Sequence, residues 1–202
     1  MSEHYFVPRV EYVEQGVHKS ADPYSYLLNH RVVFLPTSVN PLSANAIVAQ
    51  FLALEKQDPN KDIDFYINSG GGHVTEGLAI YDAMLSIKPK VNTVCLGQAC
   101  SMGAFLLAGG TGARVVTPHA RVMIHQVLGG ASGQTSDILI QAAETERMNN
   151  LLMDIMAKNS SKSFDEMKAA CNRDNFLTPD MAVEFGLADK VLSTSHTIGD
   201  RK

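Results

Sequence analysis

Residues 97–107 read GQACSMGAFLL, and Ser101 among them has the setting of a nucleophile. It follows an apolar run and a cluster of small residues, and it opens a second apolar run. If the first run is a strand and the second a helix, the serine stands at a helix N-terminus. Such a terminus carries unpaired N–H groups and the positive end of the helix dipole. A serine placed there can attack a carbonyl while those N–H groups receive the developing oxyanion. Ala99-x-Ser101-x-Gly103 has the form of a nucleophile elbow, with Ala in place of the first Gly. The same position also suits a serine that only caps its helix.

Three other sets of residues bear on this chemistry. Ser69-Gly70-Gly71-Gly72 follows DIDFYIN. Its glycines let backbone come close to a ligand with N–H groups facing outward. A phosphate loop would need a lysine after the glycines, and His73-Val74-Thr75-Glu76 supplies none. His125 ends the apolar run of RVMIH, just before Gly129-Gly130, so it borders a cleft as a base or sits in the core as a hydrogen-bonded histidine. A carboxylate to orient it has several candidates, since Asp82, Asp165, Asp174 and Asp189 are not distinguished by their local sequence. Cys95, Cys100 and Cys171 are odd in number and include no CxxC pair, which argues against a disulfide framework or a zinc site.

The elements that must position these residues alternate. Strand patterns cover Val32–Leu35 and residues 62–68, 91–97, 115–116, 121–126 and 189–193. Helical patterns cover 40–57, 74–87, a stretch from near 101, 135–159, one opened by the capping pair Ser163 and Glu166, and one opened by Thr178-Pro179 and closed by Gly186. Strands separated by helices imply crossovers and a mostly parallel sheet. Residues 1–25 read as an N-terminal arm, 26–193 as one domain, and 194–202 as a frayed tail. In the long helix, Met148, Leu151, Leu152, Ile155 and Met156 share one face. About 25 helical residues make a rod of roughly 38 Å, longer than a small domain is wide, so part of it is expected to project toward another subunit.

The 202 residues, 45% of them hydrophobic and 19% charged, fit one globular domain. A net charge of -4 and the lack of a basic run argue against nucleic acid as a partner. The polar N-terminus lacks the apolar core of a secretory signal, and no run is long enough to span a membrane. Free thiols suit a reducing cytoplasm.

YINSGGG, GQACSMGAFLLAGG, RVMIHQVLGG and RDNFLTPDMAVEFGLAD closely resemble the signature segments of the ClpP family, in order and at the family's spacing, and the resemblance covers about residues 7–193. It implies an α/β, crotonase-like spiral with a mostly parallel sheet and a projecting handle helix at about 135–159. It implies a serine endopeptidase with Ser101 as nucleophile, His125 as base and Asp174 as orienting carboxylate. The oxyanion-hole donors would be the N–H groups of Gly71 and Met102. Gly70, Gly72, Leu128, Gly129 and Gly130 would flank an extended peptide docked by strand addition. No metal or organic cofactor is implied. Subunits would form two stacked seven-membered rings, with Arg173 at the ring-to-ring contact. A separate Clp-type ATPase would spend ATP to unfold and deliver substrate polypeptides.

The sequence also departs from the family. Gly70 and Val127 stand where Pro is usual, which predicts looser loops beside the groove. Asn172 replaces the usual acidic residue before Arg173. The family's docking pocket for the ATPase maps onto Asp64, Tyr66, Val94, Leu96, Val115 and Thr117. Asp64 stands where an aromatic is common. It is expected to stay solvated and to leave a shallower pocket, whereas pairing with a nearby basic group would let the pocket survive. An accessory ring subunit working with a second ClpP-type chain is therefore an alternative to an independent peptidase. A crotonase-type acyl-CoA enzyme shares the fold but does not need the Ser-His-Asp set.

Overall fold

Local signals set the element boundaries. A computed structural model of the chain describes residues 8–192. The expected tail at 194–202 and the first seven residues of the expected arm lie outside the described residues. Asn40 accepts from the N–H groups of Leu42 and Ser43, and Pro41 begins α2 (Pro41–Gln57). The Ser163–Glu166 capping box opens α6 (Phe164–Ala170). Thr178 caps α7 (Pro179–Phe185), and Gly186 ends it at φ 87. The remaining helices are α1 (Pro23–Asn29), α3 (Val74–Ser86), α4 (Met102–Ala108) and α5 (Thr135–Lys158).

The arm read into residues 1–25 proves structured from residue 10 onward. β1 (Val10–Glu14) and β2 (Val17–Ala21) pair antiparallel. Gln15 and Gly16 both take positive φ, 50 and 77, as a two-residue hairpin turn requires. Asp22 then caps α1, which has Pro23 at its first position.

The central sheet is mixed α/β and mainly parallel. β3 (Val32–Leu35), β4 (Ile63–Ser69), β5 (Val91–Cys100), β6 (Arg114–Val116) and β9 (Lys190–Val191) follow one another in parallel. β7 (Arg121–Ile124) joins β5 in parallel, and β8 (Asn175–Leu177) joins β7 antiparallel. One sheet face carries the core. Along β4, Ile63, Phe65, Ile67 and Ser69 are buried, while Asp64, Tyr66 and Asn68 point to the other face. Phe51 of α2 meets Phe65 edge to face at 5.4 Å between ring centres. Ile80 and Met84 of α3 and Leu106 and Leu107 of α4 complete this layer.

The strand β5 decides where the site lies. Its first part pairs with β6 and its last part with β7. The change of partner falls at Gly97, whose φ of 83 bends the strand, and the register against β4 shifts at the same level. The bend carries Ala99, Cys100 and Ser101 away from β6 and alongside the strand that leads to His125.

Helix α5 is two-natured. Leu139 and Ile140 near its start are 65% and 67% exposed, whereas Leu152, Met153 and Met156 are buried. This exposed start is the part that the sequence expected to project toward another subunit. The buried stripe is shifted slightly from the expected one, with Met153 inside and Met148, Leu151 and Ile155 only half-buried.

The last strand is fastened by one side chain. Arg114 donates to the carboxylate of Asp189, and its Nη1 reaches the carbonyls of Ala108, Asn159 and Gly186.

Candidate active site

Ser101 stands between β5 and α4 with φ 55 and ψ -122. A positive φ at a residue with a Cβ is costly, about 1–3 kcal/mol, and persists only where the surroundings enforce it. Here they do. The Ser101 N–H donates to the Met123 carbonyl of β7 at 2.8 Å, and its own carbonyl accepts from Phe105 at 3.1 Å to begin α4. A Cβ on Gly103 would come within 3.0 Å of the Ser69 carbonyl, so only glycine lets α4 approach β4 this closely. As the first residue of α4, Met102 has an N–H outside the helix's own hydrogen bonding.

The glycine loop is pressed against this turn. A Cβ on Gly71 would lie 2.6 Å from Ser101 Cβ and 2.7 Å from the Cys100 carbonyl, and Gly71 has φ 97. The loop is held from behind by Val39, whose N–H donates to the Gly71 carbonyl and whose carbonyl accepts from the His73 N–H. A Cβ on Gly72 would strike the Val39 carbonyl. The Asn40 cap thus fixes the residue that fixes the loop. The Gly71 N–H donates to the buried Ser69 hydroxyl at 3.1 Å. Gly70 has open space around it. The Val39 bonds hold the residues that follow it, Gly71 and His73.

A cavity of about 260 Å³ adjoins the serine. Ser101, Met102, His125, Gly70, Gly72 and Leu128 border it, and Val74, Phe105, Leu152, Met153 and Met156 give it apolar walls. The helix residues among these walls were not foreseen as site residues. Their 3.6-residue periodicity announced only burial.

Asp174 lies apart from this cavity. It is exposed and directly precedes β8. β8 pairs with β7 so that Asn175 faces Ile124, which brings Asp174 to the end of β7 that leads into His125. The segment before it is held by Gln126, whose N–H donates to the Cys171 carbonyl and whose amide donates to the Asn172 carbonyl at 2.9 Å. Among the described residues, no hydrogen bond joins Ser101, His125 and Asp174. Arg173 is exposed, and one of its guanidinium nitrogens donates to the Asn172 carbonyl.

Leu128, Gly129 and Gly130 form an exposed rim. Gly129 and Gly130 border a second cavity of about 420 Å³ against α5. Val127, expected to be loose for want of a proline, uses the N–H that proline lacks. It donates to Asn149 Oδ1 at 2.9 Å.

The residues read as a docking pocket align on the open sheet face. Tyr66, Val94 and Val115 are neighbours across β4, β5 and β6, with Leu96 exposed and the Thr117 hydroxyl on the Cys95 carbonyl. Phe34 stacks on Tyr66 at 5.3 Å, and Tyr24 meets Phe34 edge-on. These two aromatics escaped the sequence reading because they belong to other elements. Asp64 stays exposed, and its carboxylate accepts from the Asn92 amide at 2.9 Å rather than from a basic group.

Burial pushes the thiols of Cys95 and Cys171 up to about 12. Burial also raises Cys100, against the opposing pull of Arg121. Thiols so protonated are poor nucleophiles. Among the described residues no group of His, Cys, Asp and Glu is arranged to hold a metal, and no helix is long and apolar enough to cross a membrane.

A strained serine at a strand-to-helix turn, backed by a glycine loop on a mainly parallel α/β sheet, has the architecture of an elbow nucleophile. The sequence model of the Clp protease family matches residues 14–195, and the chain belongs to that family. It is a ClpP-type peptidase, and peptidases of this type are serine hydrolases.

Proposed function

We propose that the chain is the proteolytic subunit of an ATP-dependent Clp protease, a serine endopeptidase that cleaves unfolded polypeptides delivered by a Clp-type ATPase. The observation that carries this reading is the forced turn at Ser101, with Gly71 packed on its Cβ and His125 on the same cavity. In the proposed reaction, His125 accepts the Ser101 hydroxyl proton as Oγ attacks the scissile carbonyl. The carbonyl π electrons move to oxygen, and the oxyanion receives N–H groups from Met102 and from Gly71 released from Ser69. The C–N bond then breaks, and His125 gives its proton to the departing amine, leaving an ester on Ser101. Water, deprotonated by His125, attacks that ester, and the proton returns to Ser101 Oγ as the acid leaves. Asp174 orients the imidazole. No cofactor takes part.

The apolar cavity walls favour a large apolar side chain beside the cleaved bond. In the proposed assembly, two seven-membered rings meet through α5 and Arg173, enclosing the sites in a cytoplasmic particle. The N-terminal arm, whose boundary at 25/26 falls inside α1, is left for the ring axis in this proposal.

A second reading is an accessory subunit that is weakly active alone and works in mixed rings with another ClpP-type chain. The exposed Asp64 carboxylate beside the Tyr66 row favours it, because an apolar loop docking there would have to desolvate the charge. Fluorophosphonate labelling with size measurement, on the chain alone and with a sister peptidase, tests both readings. Labelling at Ser101 in a large particle made only of this chain supports the first. Labelling that appears only with the sister chain supports the second, and no labelling in either case overturns both.

A further inference from the structure

We infer that Asn149, on the handle helix, is a positioning residue for the peptide-docking rim at 128–130. The inference rests on the peptidase reading above and concerns how this chain holds that rim without the proline usual to the family.

The segment from His125 to Gly130 leaves β7 and has no strand partner along its length. Two anchors fix its start. Gln126 is tied to the Cys171 and Asn172 carbonyls, on the segment that leads to Asp174. Val127 is tied to α5 through its N–H and Asn149 Oδ1, in a partly buried bond. One turn earlier on the same face of α5 stands Thr145. A Cβ on Gly129 would lie 2.9 Å from Thr145 Cγ2, so the rim rests directly on that side chain. Thr145 is itself steadied by its hydroxyl on the Gln141 carbonyl.

Beyond these anchors the backbone groups of Leu128, Gly129 and Gly130 make no hydrogen bond among the described residues. Leu128 is 81% exposed. In an extended chain, successive N–H groups point to opposite edges. With the N–H of Val127 drawn to the helix, the N–H of Leu128 is offered on the opposite edge, where a peptide adding as a strand would lie. Proline at 127 would stiffen the segment through its ring but could not make this bond. Here stiffness comes instead from an acceptor on the helix. The role requires an acceptor at 149 and a donor at 127, and either change alone abolishes it.

The test is a mutant cycle on the assembled full-length protein. Asn149→Leu keeps the volume and removes the acceptor, Asn149→Asp keeps an acceptor, and Val127→Pro removes the donor. Loss of one such bond is expected to raise KM for an extended peptide about tenfold in Asn149→Leu, with kcat and small fluorophosphonate labelling of Ser101 within about twofold. Asn149→Asp should lie within about threefold of the parent KM. Amide hydrogen exchange over 126–130 should quicken in Asn149→Leu and not in Asn149→Asp. In the Val127→Pro background, Asn149→Leu should change nothing further. An unchanged KM, a matching fall in labelling, or an additive effect in the proline background overturns the role. If Asn149→Leu fails to fold, Asn149→Ala takes its place, and exchange over 126–130 that does not quicken relative to Asn149→Asp overturns the role. If the parent protein is neither labelled nor cleaves peptide, the peptidase reading itself has failed, and the role falls with it.

Discussion

The two sides of the candidate site are built differently. On one side, Ser101 is gripped by β7, Gly71 and the start of α4, and nearly every neighbour is buried. On the other, Asp174 sits exposed on a short segment held through backbone carbonyls by Gln126. The geometry of the proposed nucleophile is thus a by-product of core packing, and losing it means disturbing the core. That of the proposed orienting carboxylate depends on an exposed segment. Changes to the backbone packing around Ser101 should therefore cost activity and stability together, while side-chain changes at Asp174 should cost activity alone.

The sharpest break is Ser101→Ala. Peptide cleavage should fall by on the order of 10⁶ with assembly intact, and near-normal turnover would refute the nucleophile. Next, Asp174→Asn should lower kcat by about 10⁴ while leaving the thermal midpoint near that of the parent, because the side chain is exposed. A large drop in midpoint would show that the two sides are not so different. Gly71→Ala should cost both properties, with a rate loss of roughly 10²–10³ from the displaced oxyanion donor and a lowered midpoint from the clash with Ser101. A rate loss with no change in midpoint would show the loop to be freer than its contacts suggest.

The thiols sharpen the same contrast. Cys100 adjoins the nucleophile, yet burial keeps it and its fellows protonated at neutral pH. Iodoacetamide should leave the folded enzyme active while a fluorophosphonate abolishes activity. Rapid inactivation by the alkylating agent would point to a solvent path into the buried side.

The smallest effect concerns the carboxylate of Asp189, beside Arg114. Partial burial raises the pKa of Asp189, but hydrogen bonds from the Arg114 guanidinium and backbone N–H outweigh it and hold the group below its ordinary 3.8. A depressed carboxylate stabilises the fold above its unfolded value, and that contribution is lost as pH falls through the folded value. Asp189→Asn should therefore lower stability at neutral pH and flatten its decline below about pH 4. An acid profile identical to the parent's would remove Arg114 as the cause.

Much of the nucleophile side was legible because local chemistry determines it. Asn40-Pro41, the Ser163–Glu166 pair and Gly186 each marked a boundary that the fold keeps. Ser101 stood out only as a candidate, since its place between two apolar runs suits a helix cap equally, and the family resemblance singled it out. Asp174 did not, because what distinguishes it is the antiparallel register of β7 with β8, and β8 is too short to show a period. The hairpin of β1 and β2 went unread although Gln15-Gly16 and Asp22-Pro23 carried the usual signals, since its strands bury almost nothing. Asn149 was hidden among helical residues, and only a bond across 22 positions revealed its partner.

The grip of Arg114 bears on how the chain acquires its shape during synthesis. Carbonyls at 108, 159 and 186 and the Asp189 carboxylate converge on one guanidinium, and β9 covers the edge of β6. A ribosome delivers these groups in order, so Arg114 emerges long before its last partners do. Until then β6 presents a bare strand edge, the kind of surface on which nascent chains pair wrongly with one another. The sheet closes only when residues 189–191 have left the exit tunnel, and a chain cut short before residue 189 is left with an open seam.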